Sequence, residues 1–105
     1  MTEPIPVRVR ECPDGSHPEG DVVYLAPRLS LDGGLVATYD RQEAGADASE
    51  LFRRWLRTFV RYGAVGWNLH DDDGPMPFDV NVLLEDAALG LKVADAAPDL
   101  YMETL

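Results

Sequence analysis

Reactive and cationic side chains are scarce in this chain. Cys12 is the single cysteine among 105 residues, so no intrachain disulfide can close and no cluster of thiolate ligands can form. That fits a reducing compartment, and the expected location is the cytoplasm. Lys92 is the single lysine beside eight arginines; with abundant Ala, Gly, Asp and Leu, this usage suggests a GC-rich coding genome. Nine basic residues face nineteen acidic ones, for a net charge of -10. Such a deficit of positive charge disfavours direct binding of DNA, RNA or an anionic membrane, because phosphate contacts need clustered Lys and Arg. No run of about 18 apolar residues is present, so no membrane span is expected. The start of the chain, Met1-Thr2-Glu3-Pro4-Ile5-Pro6, lacks the basic region and apolar core of a signal peptide.

Signatures of catalysis and of metal or cofactor binding are missing as well. Ser16, Ser30 and Ser49 have no Gly-x-Ser-x-Gly setting, and Cys12 lies in a Pro/Gly turn with no base placed beside it by sequence. Gly33-Gly34 precedes an apparent strand rather than a helix, so it is no phosphate loop. His17 and His70 are the only histidines and lie far apart. A zinc site would need them to converge with Cys12 and a carboxylate, which no spacing predicts. The run Asp71-Asp72-Asp73-Gly74 invites a calcium reading. Aligned as an EF-hand loop on Gly74, however, it puts Leu69 and Val80 where two essential carboxylates belong. A solvated turn is the simpler role. The chain is expected to be no enzyme and to carry no cofactor or metal.

What is present suffices for one domain over residues 1–105, with 46% hydrophobic residues to build a core. Residues 4–11 alternate, Val7 and Val9 opposing Arg8 and Arg10, as in a half-buried strand. A Pro/Gly-rich turn over residues 12–20 leads to a second strand at 21–25, whose pairing Pro27 would limit or which it would place at an edge. Leu29-Ser30-Leu31 and Leu35-Val36-Ala37-Thr38-Tyr39 flank Asp32-Gly33-Gly34 and predict a hairpin, with residues 41–46 as a polar connector. Asp47 and Glu50 form a capping box ahead of a helix over 48–62. Gly63 suits a left-handed stop for it. Asp79 can cap a further helix that Gly90 ends, with Phe78 and Leu83 spaced as a hydrophobic staple. A last helix can run over 91–104, with Leu91, Ala94, Ala97, Tyr101 and Leu105 in register and Pro98 kinking or restarting it. The fold class predicted is α+β: a small antiparallel sheet over residues 4–39, an amphipathic helix over 48–62, and a C-terminal helical part over 80–104.

On the helix over 48–62, Leu51, Phe52, Trp55, Leu56, Phe59 and Val60 form an apolar stripe and Arg53, Arg54, Arg57 and Arg61 occupy the other side. From position 71 onward the charge reverses, with nine carboxylates against Lys92. The simpler expectation is that these acids neutralise the arginine face within the fold, although exposed pairs of that kind are worth only about 0–1 kcal/mol each. The alternative is two separate faces, one basic and one acidic. Trp55 and Phe59 suit a core, and any part of the stripe left exposed would be a docking groove for another helix. Trp55, Phe59, Arg53, Arg57 and Arg61 are therefore the candidate protein-binding residues.

The run Val65-Gly66-Trp67-Asn68-Leu69-His70-Asp71-Asp72-Asp73-Gly74-Pro75-Met76-Pro77-Phe78 resembles a stretch of small tail-gene proteins from actinobacterial phages and prophages. In those, a helix is followed by a Trp-Asn-Leu segment, an acidic Asp-Gly turn, a Pro-containing stretch and a C-terminal helix. The similarity spans residues 50–105, and the family is described as tail assembly chaperones or tail-associated morphogenesis proteins. The resemblance implies a non-enzymatic role in covering hydrophobic stretches of a tape-measure protein and recruiting tail-tube subunits. It transfers no catalytic residue. Its implied partner is a phage tail protein, or further copies of the chain if the protein is instead a connector or decoration component retained in the virion. A third reading, from the acidic C-terminal half, is a nucleic-acid mimic that inhibits a basic DNA-binding defence protein.

Overall fold

The computed structural model describes residues 3–13, 15 and 18–102; Ser16, His17 and Leu105, singled out above, lie outside the described residues. Among the described residues, nine elements follow in order. Strands β1 (Ile5–Arg10) and β2 (Asp21–Leu25) lead to helices α1 (Leu31–Ala44) and α2 (Ala48–Gly63). Strands β3 (Ala64–Trp67), β4 (His70–Asp71) and β5 (Gly74–Pro75) come next. Helices α3 (Val80–Glu85) and α4 (Ala87–Tyr101) close the chain. The architecture is α+β, with an antiparallel sheet ordered β1-β2-β3 and a separate two-stranded ribbon, β4-β5.

The alternation predicted for the first strand holds, with Val9 buried and Arg8 exposed. Its pairing with β2 slips between Arg8 and Arg10, a bulge that brings Arg10 opposite Asp21. β2 is not an edge strand. It pairs with β1 on one side and β3 on the other, because Pro27 lies beyond its last paired residue and removes no ladder hydrogen bond.

The hairpin predicted across Gly33-Gly34 is instead helix α1, and the third strand of the sheet comes from residues 64–67. Ser30 decides this locally: its Oγ accepts from Gly33 N–H at 3.1 Å, an N-cap rather than a strand residue. The connector expected at 41–46 is mostly the last turn of the same helix. The buried positions Gly33, Ala37, Asp40 and Ala44 recur at helical spacing, so a stripe of small residues, not of large apolar ones, faces α2. A Cβ on Gly33 would lie 2.8 Å from Tyr62 Cβ, whereas one on Gly34 would meet nothing. Gly33→Val is accordingly expected to cost about 1–3 kcal/mol by overpacking. Gly34→Ala should instead raise stability by about 0.4–1 kcal/mol. Urea unfolding of the two variants measures both.

Helix α2 matches its predicted span. Asp47 accepts from Glu50 N–H at 3.0 Å, but Glu50 does not close the capping box; its carboxylate is held by Arg53 and Arg54 at 2.7 Å each. Gly63 is not a left-handed stop. It is the last helical residue, and glycine is needed because a Cβ there would approach the Tyr101 hydroxyl to 2.5 Å. The chain then passes straight into β3.

The segment over residues 66–79 is built as follows. Asn68 replaces a strand residue by exchanging hydrogen bonds with Val22: its Oδ1 accepts from Val22 N–H at 2.6 Å and its own N–H donates to Val22 O at 3.0 Å. Leu69 is buried. The three aspartates and Gly74 form the tip of the β4-β5 ribbon, where Gly74 has φ 112° and Asp71 Oδ1 accepts from Asp73 N–H at 2.8 Å. Trp67 donates its indole N–H to Met76 O at 2.9 Å and meets Phe78 edge-on at 5.0 Å. Phe78 thus packs on Trp67 and remains partly exposed, rather than lying deep in the core.

Asp79 caps α3, accepting from Asn81 N–H at 3.0 Å. The helix breaks at Asp86, four residues before the expected Gly90, because Asp86 Oδ1 accepts from Ala88 and Leu89 N–H at 2.9 and 3.3 Å and so starts α4. Gly90 is buried inside α4, where a Cβ would collide with the Leu83 carbonyl oxygen of α3. Pro98 is accommodated within α4. The inward face of that helix is Leu89, Val93, Ala94, Ala97 and Tyr101, while Leu91 points outward. The core joins Val9, Val23 and Leu25 of the sheet to Trp55, Phe59 and Val60 of α2 and to Val93, Ala97 and Tyr101 of α4. Among the described residues, no helix is long and apolar enough to cross a membrane.

Candidate functional site

Helix α2 is the centre of the molecule, packing on α1, α3, α4 and β3. Of its apolar stripe, Trp55 and Phe59 lie inside. Trp55 donates its indole N–H to Ala37 O at 2.9 Å, carries the Arg41 guanidinium over its ring at 5.1 Å and stacks on Phe59 at 6.0 Å. Phe59 meets Tyr101 edge-on at 5.5 Å. These two candidate residues form no exposed surface; they hold the helix in place. The outer margin of the stripe is different. Phe52 is 47% exposed, and Leu56 is half-buried.

Three depressions adjoin along this margin. One of about 150 Å³ lies between Phe52, Leu56, Leu91, Ala94 and Pro98. Next to it, sharing Leu56, Leu91 and Ala94, is one of about 290 Å³ lined also by Val60, Leu83, Leu84 and Ala87. Arg53, Arg57 and Leu84 lead on to a third of about 320 Å³, walled by Arg53, Arg54, Arg57 and Arg61 with Val36 and Tyr62. The first two form one groove between α2 and the α3–α4 pair, mainly apolar with Asp86 and Asp95 on its rim, and the third, basic one adjoins it between α1 and α2.

The electrostatics of the basic depression depart from the simpler expectation. Among the described residues, no C-terminal carboxylate forms an ion pair with these arginines. Arg53 and Arg54 pair with Glu50 on their own helix, and the two guanidinium groups hold the Glu50 carboxyl below its ordinary value. Arg57 and Arg61 have no carboxylate within ion-pair distance among the described residues. Beneath them lies buried Asp40, which accepts from the Thr58 hydroxyl. Meanwhile Asp71, Asp79 and Asp86 accept backbone N–H groups at turns and helix starts. Among the described residues, Arg53 and Arg54 are thus paired within α2, while Arg57 and Arg61 stand without an ion pair.

A second cluster of polar groups sits at the far end of the sheet. Asp21 is fully buried. Its Oδ2 accepts from Arg10 Nε at 2.9 Å and from His70 N–H at 3.1 Å. The same arginine donates through Nη2 to His70 O at 2.6 Å. Burial opposes ionisation of Asp21, but the His70 backbone N–H, the Arg10 side chain and the Cys12 thiol outweigh it and hold the carboxyl below its ordinary value. His70 Nδ1 stands 3.7 Å from Asp21 Oδ1. Sequence spacing predicts no meeting of Cys12, His70 and a carboxylate; the tertiary fold produces one.

Leu56 and Arg57 of the groove are legible in the sequence as helix positions. Leu83, Leu84 and Leu91 are legible as apolar helix positions too, but that they meet α2 along one margin is decided by the packing of α3 and α4. Compared with protein-family models, with curated proteins and with solved structures, the chain matches none.

Proposed function

We propose that the protein is a non-enzymatic binding protein of phage tail assembly, which holds an amphipathic, acidic helical segment of a tail protein in the α2–α4 groove. The observation that carries this reading is the groove itself. Leu56, Leu84 and Leu91 offer one continuous apolar surface, while Arg57 and Arg61 line the basic depression beside it without an ion-pair partner among the described residues. An apolar helix face with carboxylates at one end complements both parts. The resemblance of residues 50–105 to tail assembly chaperones supports the identity of the partner, a tape-measure-like protein whose hydrophobic stretches need cover before assembly. The -10 charge suits a protein that must stay soluble while covering them.

The mimic reading is disfavoured by the use of Asp71, Asp79 and Asp86 in local capping, which occupies carboxylates that a phosphate-like array would present.

The test is affinity capture of the tagged protein from cells expressing the tail genes, in parallel with two variants, Leu91→Asp and Arg57→Glu. Leu91 is 66% exposed, so both variants should keep the circular dichroism and melting behaviour of the parent. Retention of a long tape-measure-like protein by the parent, with each variant binding it about tenfold or more weakly, is the expected result. A nuclease or other DNA-binding enzyme as the sole partner would overturn the reading in favour of mimicry. Closed rings formed by the protein alone would do so in favour of a structural virion component.

A further inference from the structure

We propose that Cys12, Asp21 and His70 form a binding site for a divalent cation of the zinc class. One ligand atom from each of the three lies within 4.8 Å of the other two, and the His70 Nδ1 to Asp21 Oδ1 separation is 3.7 Å. A tetrahedral zinc ion spaces its nitrogen, oxygen and sulfur ligands about 3.3–3.6 Å apart, from bond lengths of about 2.0–2.3 Å. The His70–Asp21 separation thus needs to close by about 0.1–0.4 Å and the others by no more than about 1.2–1.5 Å.

The surroundings suit a ligand set rather than a catalytic relay. In a Cys–His–Asp relay the thiol and the carboxylate sit on opposite sides of the imidazole, which keeps them further apart than a ring width. Here all three converge on one point. The carboxylate is fully buried and is oriented from behind: Arg10 Nε and His70 N–H both bind Oδ2, which turns Oδ1 toward His70. Such outer contacts are the usual means of fixing a metal ligand. Arg10 also grips the His70 carbonyl and so sets the position of that residue. Cys12 and His70 are only partly buried. On binding, the Cys12 thiol gives up its proton to solvent and its sulfur takes the metal, so one proton is released per ion. With Asp21 ionised and Arg10 alongside, the thiolate and the metal leave the site with one net positive charge, within a chain whose net charge of -10 attracts cations. The ion would tie the segment after β1 to the start of β2 and to the β4-β5 ribbon, at the opposite end of the sheet from the groove's contacts with α2.

The experiment is titration of the untagged, reduced protein with Zn²⁺ by calorimetry and with Co²⁺ by optical absorption. Expected are one ion per chain and a thiolate-to-cobalt charge-transfer band. Cys12→Ser, nearly isosteric and therefore folded, should remove that band and weaken Zn²⁺ at least about tenfold. His70→Ala should weaken it similarly. Asp72→Asn, at the tip of the acidic turn, should change nothing. Absence of saturable binding, or binding without the thiolate band, would overturn the assignment. So would Zn²⁺ affinity that survives Cys12→Ser but falls in Asp72→Asn, which would place the ion on the acidic turn.

Discussion

Replacing Tyr101 by alanine is expected to destabilise the protein by about 3–5 kcal/mol, as for other buried aromatic truncations. Domains of this size have only about 5–15 kcal/mol in all. Tyr101 is fully buried near the end of α4. Its ring packs edge-on against Phe59 at 5.5 Å, and its hydroxyl donates to Ala26 O at 2.5 Å, tying the last helix to the exit of the central strand. Burial pushes its pKa up to about 12, so it stays protonated and keeps donating across the neutral range. The lost ring would also leave the space under Gly63 empty, since Gly63 is glycine to admit that hydroxyl. Tyr101→Phe separates the two contributions. It keeps the packing and leaves the Ala26 carbonyl without its donor, for an expected cost of about 1–3 kcal/mol. Denaturant unfolding monitored by Trp fluorescence measures both, and equal costs for the two variants would show that the ring itself contributes little.

Arg10→Ala is the second large effect, again about 3–5 kcal/mol, because it removes the Arg10 guanidinium from the buried Asp21 carboxylate. Arg10 is itself about one-third exposed while Asp21 is fully inside, so the asymmetry of burial sets the cost. Removing the arginine takes the guanidinium away from a buried carboxylate and leaves it the hydrogen bonds from His70 N–H and the Cys12 thiol. The comparison is Arg53→Ala, which breaks an ion pair of similar length with Glu50. There both groups are solvated, and a change of about 0–1 kcal/mol is expected. Urea titrations of the two variants, with a chelator present so that no cation contributes, should differ by at least about 2 kcal/mol. Equal effects would mean that Asp21 finds water or another donor once Arg10 is gone.

Both predictions fall on residues whose importance cannot be read from their neighbours in sequence. Tyr101 is visible as one of a helical set of apolar positions, but Leu91 belongs to the same set and is exposed. Both lie on α4, ten residues and so about 80° apart around the helix axis, which leaves Leu91 at the margin of the buried face. Arg10 is visible as the polar side of an alternating strand. Its meeting with Asp21 follows from a bulge in the β1–β2 pairing.

Local chemistry in the chain was enough to determine helix α2, its Asp47 cap and arginine side, the first two strands, the acidic turn at Asp73-Gly74 and the α+β class. Each depends on periodicity or on a turn residue acting within a few positions. The sequence also settled that the three aspartates lack the partners of a calcium loop. Tertiary structure decided the rest. Helix α1 packs through the small residues Gly33, Ala37 and Ala44, a pattern with no apolar periodicity to announce it, so its glycines resemble a hairpin turn. The third strand follows α2 because Gly63 lets Tyr101 approach and the chain continues into β3 without a loop. The groove and the Cys12–Asp21–His70 cluster each join segments far apart in the chain. Such sites exist only once the core has brought their backbones together, since no local preference acts over that distance.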